Sequence, residues 1–196
     1  MRIRKCVLVF TAVMLPVASV ALLEGTAFAK KVTGAGTTTC SFGGTINFNP
    51  PLTQNGTPGV KKEITTVNAT LGSCSGGTPV GAATSVVVKP IKTKTPKGQN
   101  GATCSSFSSA ASTTVVKVKV NWAGEKPSKF NISGLTVAIN SSGEVGFTGN
   151  FPVAGSYAGS GSVGVYLTPA SGNAIASCTS PVSQLQIDQS TSSGSL

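Results

Sequence analysis

The chain has 196 residues, 39% hydrophobic and only 10% charged, and fifteen Lys and Arg against five Asp and Glu give a net charge of +10. It contains no histidine, which excludes a Ser-His-Asp triad, a Cys-His dyad and any His-ligated metal centre. Five carboxylates in the whole chain also argue against a carboxylate-caged calcium or magnesium ion, so neither a metal nor a cofactor is expected.

The N-terminus begins with a basic cluster, Arg2, Arg4 and Lys5, followed by an apolar stretch over 7–23 that Pro16 interrupts. Ala27-Phe28-Ala29 then supplies a small-x-small pattern. Together these predict a secretory signal peptide over 1–29, cleaved after Ala29. A membrane anchor is the competing reading, because the stretch approaches spanning length; Pro16 and the cleavage pattern favour removal. Cys6 precedes the apolar stretch, away from the cleavage point, which argues against a lipoprotein. The mature chain keeps twelve lysines, no arginine and four acids, a charge of +8. It has no second apolar run of spanning length, so no transmembrane segment is expected, and the product is expected to be secreted and extracellular.

Residues 30–39 read as a short leader. Beyond it the chain alternates with period two, as half-buried strands do. Phe42, Ile46 and Phe48 share the Cys40 face of a first strand over 40–48. Val67, Ala69 and Leu71 form the inward face of a second over 64–74. Cys74 falls out of phase with them, which predicts a bulge or strand end near Gly72. A third, compact strand covers 85–89. Thr114, Val116, Val118, Val120 and Trp122 then share one face while Lys117, Lys119 and Asn121 share the other. In the next segment Phe130 and Ile132 are even but Leu135, Val137 and Ile139 are odd, so Ser133-Gly134 is expected to bulge. Val145, Phe147 and Phe151, then Val163, Val165 and Leu167, and finally Leu185 and Ile187 complete the inward faces. Asn55-Gly56, Asn100-Gly101 and Ser142-Gly143 mark turns, and Pro50-Pro51, Pro58, Pro96 and Pro127 are breakers.

Strands separated by turns, without helical segments, predict an all-β protein: an antiparallel, immunoglobulin-like β-sandwich of about seven to nine strands, with a β-barrel as the alternative. One domain over 40–188 accounts for the apolar pattern, and 189–196 reads as a disordered polar tail. The mature cysteines are Cys40, Cys74, Cys104 and Cys178, separated by 34, 30 and 74 residues. An even number in an exported chain, without paired C-x-x-C spacing, reads as two disulfides, not zinc. Three connectivities are possible; Cys40–Cys74 with Cys104–Cys178 is preferred, because antiparallel pairing of the first two strands brings Cys40 and Cys74 to one end.

With these strands placed, the chain resembles a family of small exported actinobacterial proteins that is largely uncharacterised. The residues that carry the resemblance are Cys40 and Gly44-Thr45-Ile46-Asn47-Phe48, followed by Asn49-Pro50-Pro51-Leu52-Thr53 and Gly72-Ser73-Cys74-Ser75-Gly76. Next come Cys104, a Val-rich strand ending at Trp122, Gly155-Ser156-Tyr157-Ala158-Gly159 and Cys178. The resemblance implies an exported two-disulfide β-sandwich and carries over no catalytic residue. This chain is richer in lysine than that family's Ser/Thr-rich composition. Cys104, Trp122 and Cys178 also stand in the immunoglobulin order, but Ala176 occupies the position where that fold places a tyrosine.

No catalytic residue is expected. There is no Ser-x-x-Lys and no histidine base for a nucleophilic serine. The four mature acids could form a hydrolytic pair, but Glu63 follows Lys61-Lys62 and Glu125 precedes Lys126, so both read as solvated charges. Glu144 follows a turn and Asp188 closes the last strand. Lys89, Lys92, Lys94, Lys97, Lys117 and Lys119 form a candidate surface for an anionic cell-wall polymer or another polyanion. The lack of arginine and of interleaved aromatics argues against specific nucleic-acid recognition. A second reading has these lysines blocking sheet-to-sheet aggregation and maintaining solubility. Tyr157, within the Gly-rich stretch 155–164, and Tyr166, just after it, leave open a neutral glycan or protein partner. The expected function is a non-enzymatic extracellular interaction module.

Overall fold

The computed structural model describes residues 31–78 and 82–196; the expected signal peptide over 1–29 lies outside the described residues. The alternating segments form eleven strands: β1 (Ala35–Leu52), β2 (Lys62–Thr78), β3 (Ala83–Val88), β4 (Ile91–Lys94), β5 (Val116–Trp122), β6 (Ser128–Ile132), β7 (Thr136–Ile139), β8 (Val145–Ala154), β9 (Gly159–Tyr166), β10 (Val182–Ile187) and β11 (Ser193–Ser195). All ladders between them are antiparallel among the described residues. Nine strands follow one hydrogen-bonded path, β3-β5-β6-β8-β9-β11-β1-β2-β4, with β10 paired to β1 and β7 to β8. β3 and β4 stand at opposite ends of that path, yet only Lys89 and Pro90 separate them in the chain. The two ends must therefore approach one another, and the sheet curls into a half-barrel. Pro90 lacks the N–H that a continuous ladder would need, so the strand breaks there.

Both phase slips have structural counterparts. Cys40 pairs with Cys74 while Phe42 pairs with Leu71. Ser41 of β1 thus faces two residues of β2, Gly72 and Ser73, one of which is the surplus. At the second slip the chain leaves the ladder between β6 and β7, and both strands then pair with β8. The disulfides join Cys40 to Cys74 across adjacent strands, with Cα atoms 4.0 Å apart, and Cys104 to Cys178 at 6.2 Å.

Three expectations are corrected. The chain contains two short helices, α1 (Cys104–Ala111) and α2 (Pro169–Ser177). Thr103 opens α1, its Oγ1 accepting from the Ser106 N–H at 3.0 Å. Thr168 caps α2, with Pro169 in the first turn, and Cys178 ends it in the left-handed region at φ 47°. Residues 189–196 are not a frayed tail. Ser193–Ser195 inserts between β1 and β9, and Leu196 is buried, exchanging backbone hydrogen bonds with Thr38. The leader is also partly strand, since β1 begins at Ala35, and Val32 makes a parallel bridge to Glu125. The compact unit is accordingly Lys31–Leu196, longer at both ends than 40–188.

Candidate functional site

Strand alternation turns each strand's two faces to different tasks. On β5, Val116, Val118 and Val120 point inward while Lys117 and Lys119 are exposed. The register then sets lysines against lysines. Lys119 lies opposite Lys129 of β6. The Lys89 N–H donates to the Lys117 carbonyl at 3.0 Å, one step beyond the Val88/Val118 pair, so these two lysines also face each other. Across β2 and β4, Lys62 lies opposite Lys94. Like charges directly opposite on a sheet repel, by roughly 0.2–1 kcal/mol per pair.

Of the six lysines singled out from the sequence, Lys89, Lys117 and Lys119 thus join Lys129 on the outside of β3, β5 and β6. Lys92 and Lys94 join Lys62 on β4 and β2. Lys97 sits in the turn after β4, exposed like the others. Lys62 and Lys129 were not singled out; Lys129 does alternate with inward Ser128 and Phe130, which was a usable signal. β4 ends the path, so edge protection accounts for Lys92 and Lys94. β5 lies between β3 and β6, so it does not account for Lys117 or Lys119.

Inside the curl the core divides into two clusters. One contains Ile46, Phe48, Leu52, Leu167 and Leu185 with the Cys104–Cys178 bridge, and the other contains Val120, Trp122, Phe151, Tyr157 and Leu196 with Cys40. A cavity of about 270 Å³, lined by residues of both, separates them. Its presence explains why inward-facing Val67, Leu71, Val86, Val118, Phe130 and Val163 are only half-buried. The inward side chains of β2 grade along the cavity, from Glu63 and Thr65 at one end to Val67, Ala69 and Leu71 at the other. Glu63 is paired across the ladder with Thr93, which also lines the cavity.

The acids differ from their expected roles. Glu63 is half-buried, and its Oε1 accepts the Ala102 N–H. Glu125 is 2% exposed, not a solvated charge. The Tyr157 hydroxyl donates to its Oε1 at 3.2 Å, and Oε2 has no hydrogen-bond partner among the described residues. Gly34 passes so close that a Cβ there would strike Glu125 Oε2 and the Tyr157 ring. Glu144 is buried and accepts from Asn140 Nδ2 at 2.6 Å. The Ser190 hydroxyl and N–H hold the Asp188 carboxyl below its ordinary value, and a hydrogen bond with the Glu144 side chain adds to this. No group of three or more Cys, Asp or Glu residues able to hold a metal occurs among the described residues.

The aromatic side chains are tied into the interior. The Trp122 Nε1–H donates to Ser128 Oγ at 2.9 Å, and the Ser128 hydroxyl donates to the Ser156 carbonyl. Ser156 Oγ accepts the Gly34 N–H at 2.9 Å, and the Trp122 and Tyr157 rings meet edge-to-face at 4.8 Å. Tyr157 is 1% exposed and Tyr166 half-buried. The exposed large apolar side chains are all aliphatic, so no stacking platform for a sugar is present among the described residues. The Cys104–Cys178 bridge ties a helix to the end of another helix, unlike the bridge between facing strands of an immunoglobulin domain.

No helix among the described residues is long and apolar enough to cross a membrane. No protein-family model matches the chain, and neither a curated protein nor a solved structure matches it significantly.

Proposed function

We propose that the protein is an exported, non-enzymatic binding module that holds a polyanion, such as an anionic cell-wall polymer, on the lysine-bearing outer face of its sheet. The carrying observation is the register of three cross-strand lysine pairs, Lys89/Lys117, Lys119/Lys129 and Lys62/Lys94. Each pair is mildly destabilising in the free protein. An anionic group seated between two ammonium groups reverses that sign, because the pair's repulsion becomes a shared attraction. Lysine offers mobile point charges without arginine's planar fork, which suits a flexible, repeating anion better than a base edge or a bidentate carboxylate.

Export is supported by the basic-apolar-small pattern over 1–29. The resemblance to exported actinobacterial proteins belongs to the same reading. We read the curled sheet as an incomplete barrel, not an immunoglobulin-like sandwich. The two-residue β3–β4 link and the placement of Cys104–Cys178 at helix ends support that preference.

The test is retention on immobilised polyphosphate across a salt gradient from about 0.05 to 0.2 M, where counterion release makes such binding fall steeply. The variants K117Q, K129Q and K94Q each remove one member of a pair. Each is expected to lower the slope of log affinity against log salt by about 1. Absence of retention at the low-salt end would overturn the proposal.

A further inference from the structure

The geometry points to a second binding site, inside the half-barrel and independent of the lysine pairs. We infer that the 270 Å³ cavity between the two core clusters takes up a single aliphatic chain of about ten carbons, ending in a hydrogen-bond donor such as a hydroxyl or ammonium group. The volume is nearly twice the roughly 150 Å³ of an apolar cavity that stays dry and admits one benzene. A ligand here would cover side chains that the fold turns inward but leaves half-buried, among them Val67, Leu71, Val118 and Val163.

The ligand's polarity follows from the grading along β2. The apolar end, at Ala69 and Leu71, offers no charged group to a head group. The other end presents Glu63, Thr65 and Thr93. Glu63 Oε1 is already used by the Ala102 N–H, but a carboxylate has acceptor sites to spare and no proton to give. It therefore favours a head group that donates. A fatty acid would bring a second carboxylate against Glu63, and repulsion in a site of low dielectric would disfavour it.

The experiment displaces a neutral naphthylamine dye from the full mature chain with decan-1-ol, decylamine and decanoate. Decanol and decylamine are expected to displace it, and decanoate at least tenfold more weakly at neutral pH. The variant A69L adds three carbons to a side chain that lines the cavity. It is expected to weaken decanol binding at least tenfold while the melting temperature holds or rises, since it fills a void. Should A69L fail to fold, A102L fills the other end of the lining and carries the same expectation. The variant E63Q keeps the acceptor for Ala102 and loses the charge, so decanoate is expected to gain on decanol. Failure of decanol to displace the dye overturns the site. Unchanged binding in a folded A69L or A102L overturns its location. Decanoate equal to or tighter than decanol in the parent overturns the assigned polarity.

Discussion

Replacing one lysine in each cross-strand pair, as in the triple variant K94Q/K117Q/K129Q, should stabilise the free protein. Ammonium groups on opposed lysines can splay to about 8 Å, where two unit charges in water repel by about 0.5 kcal/mol. Three pairs give about 1.5 kcal/mol, inside the range of cross-strand pair energies. For a chain of this size each kcal/mol moves the melting temperature by about 2–4 °C, so a rise of about 3–6 °C is expected. Glutamine preserves most of the aliphatic stem, which keeps packing over the strand nearly constant. The assay is a thermal melt followed by circular dichroism, at about 0.01 M and again at about 0.5 M salt. The Debye length falls from about 30 Å to below 8 Å over that range, so the gain should shrink markedly. A melting temperature that falls at low salt would refute the reasoning. So would a gain that persists undiminished at high salt, because the pairs would then not be in electrostatic opposition.

The two disulfides should differ modestly. They span 34 and 74 residues, which on the chain-entropy model gives about 3.8 and about 4.5 kcal/mol; guanidinium unfolding of C40S/C74S and C104S/C178S measures both. A reversed order by more than about 1 kcal/mol would contradict the loop-length account. Deleting residues 193–196 should destabilise by at least about 2 kcal/mol in urea, from the burial of Leu196 alone, whereas a frayed tail would leave the midpoint unmoved. Asp188 titrates below its ordinary value of 3.8 in the folded chain. Its contribution is therefore fully present above that value and lost as the pH falls below it through the lowered folded pKa. The stability difference between parent and D188N should thus hold constant above about pH 5 and vanish in strong acid; a difference undiminished at about pH 2 would sink this linkage.

The parts of this fold that were legible in sequence are those where a side chain's own pattern decides its surroundings. Val116 to Trp122 alternates because one face is wet and the other dry, and the mismatch between Leu71 and Cys74 locates the extra residue of the bulge. Glu125 shows the opposite case. Its neighbours Gly124 and Lys126 look solvated, and what buries it is Val32 and Tyr157, brought in from distant parts of the chain. Ser193–Ser195 has no apolar pattern at all; its backbone alone completes the ladders of β1 and β9. The two helices leave little trace in the sequence because each is short and weakly amphipathic. Thr168-Pro169 and the Thr103/Ser106 pair were nevertheless readable start signals. The cavity had no sequence signature, since a void is set by how far the sheet curls, not by any residue in its wall.

The lysine pairs and the cavity are two consequences of one register. A slip of a single residue along β5 would turn Lys117 and Lys119 into the half-barrel and expel Val116, Val118 and Val120. Neither face could then survive alone. The structure resists such slips through the valine face, which lines the inside of the curl, and through the Cys40–Cys74 bridge beside the bulge on β1 and β2. Substitutions confined to one face should therefore leave the other intact. K117Q should not change uptake of an aliphatic chain, and A69L should not change salt-dependent retention on polyphosphate. Loss of both functions from either variant would mean that the register had moved, which a fall in the melting temperature would reveal independently. Loss of one function alone, in a variant that melts no lower than the parent, would show that the outer and inner faces act separately.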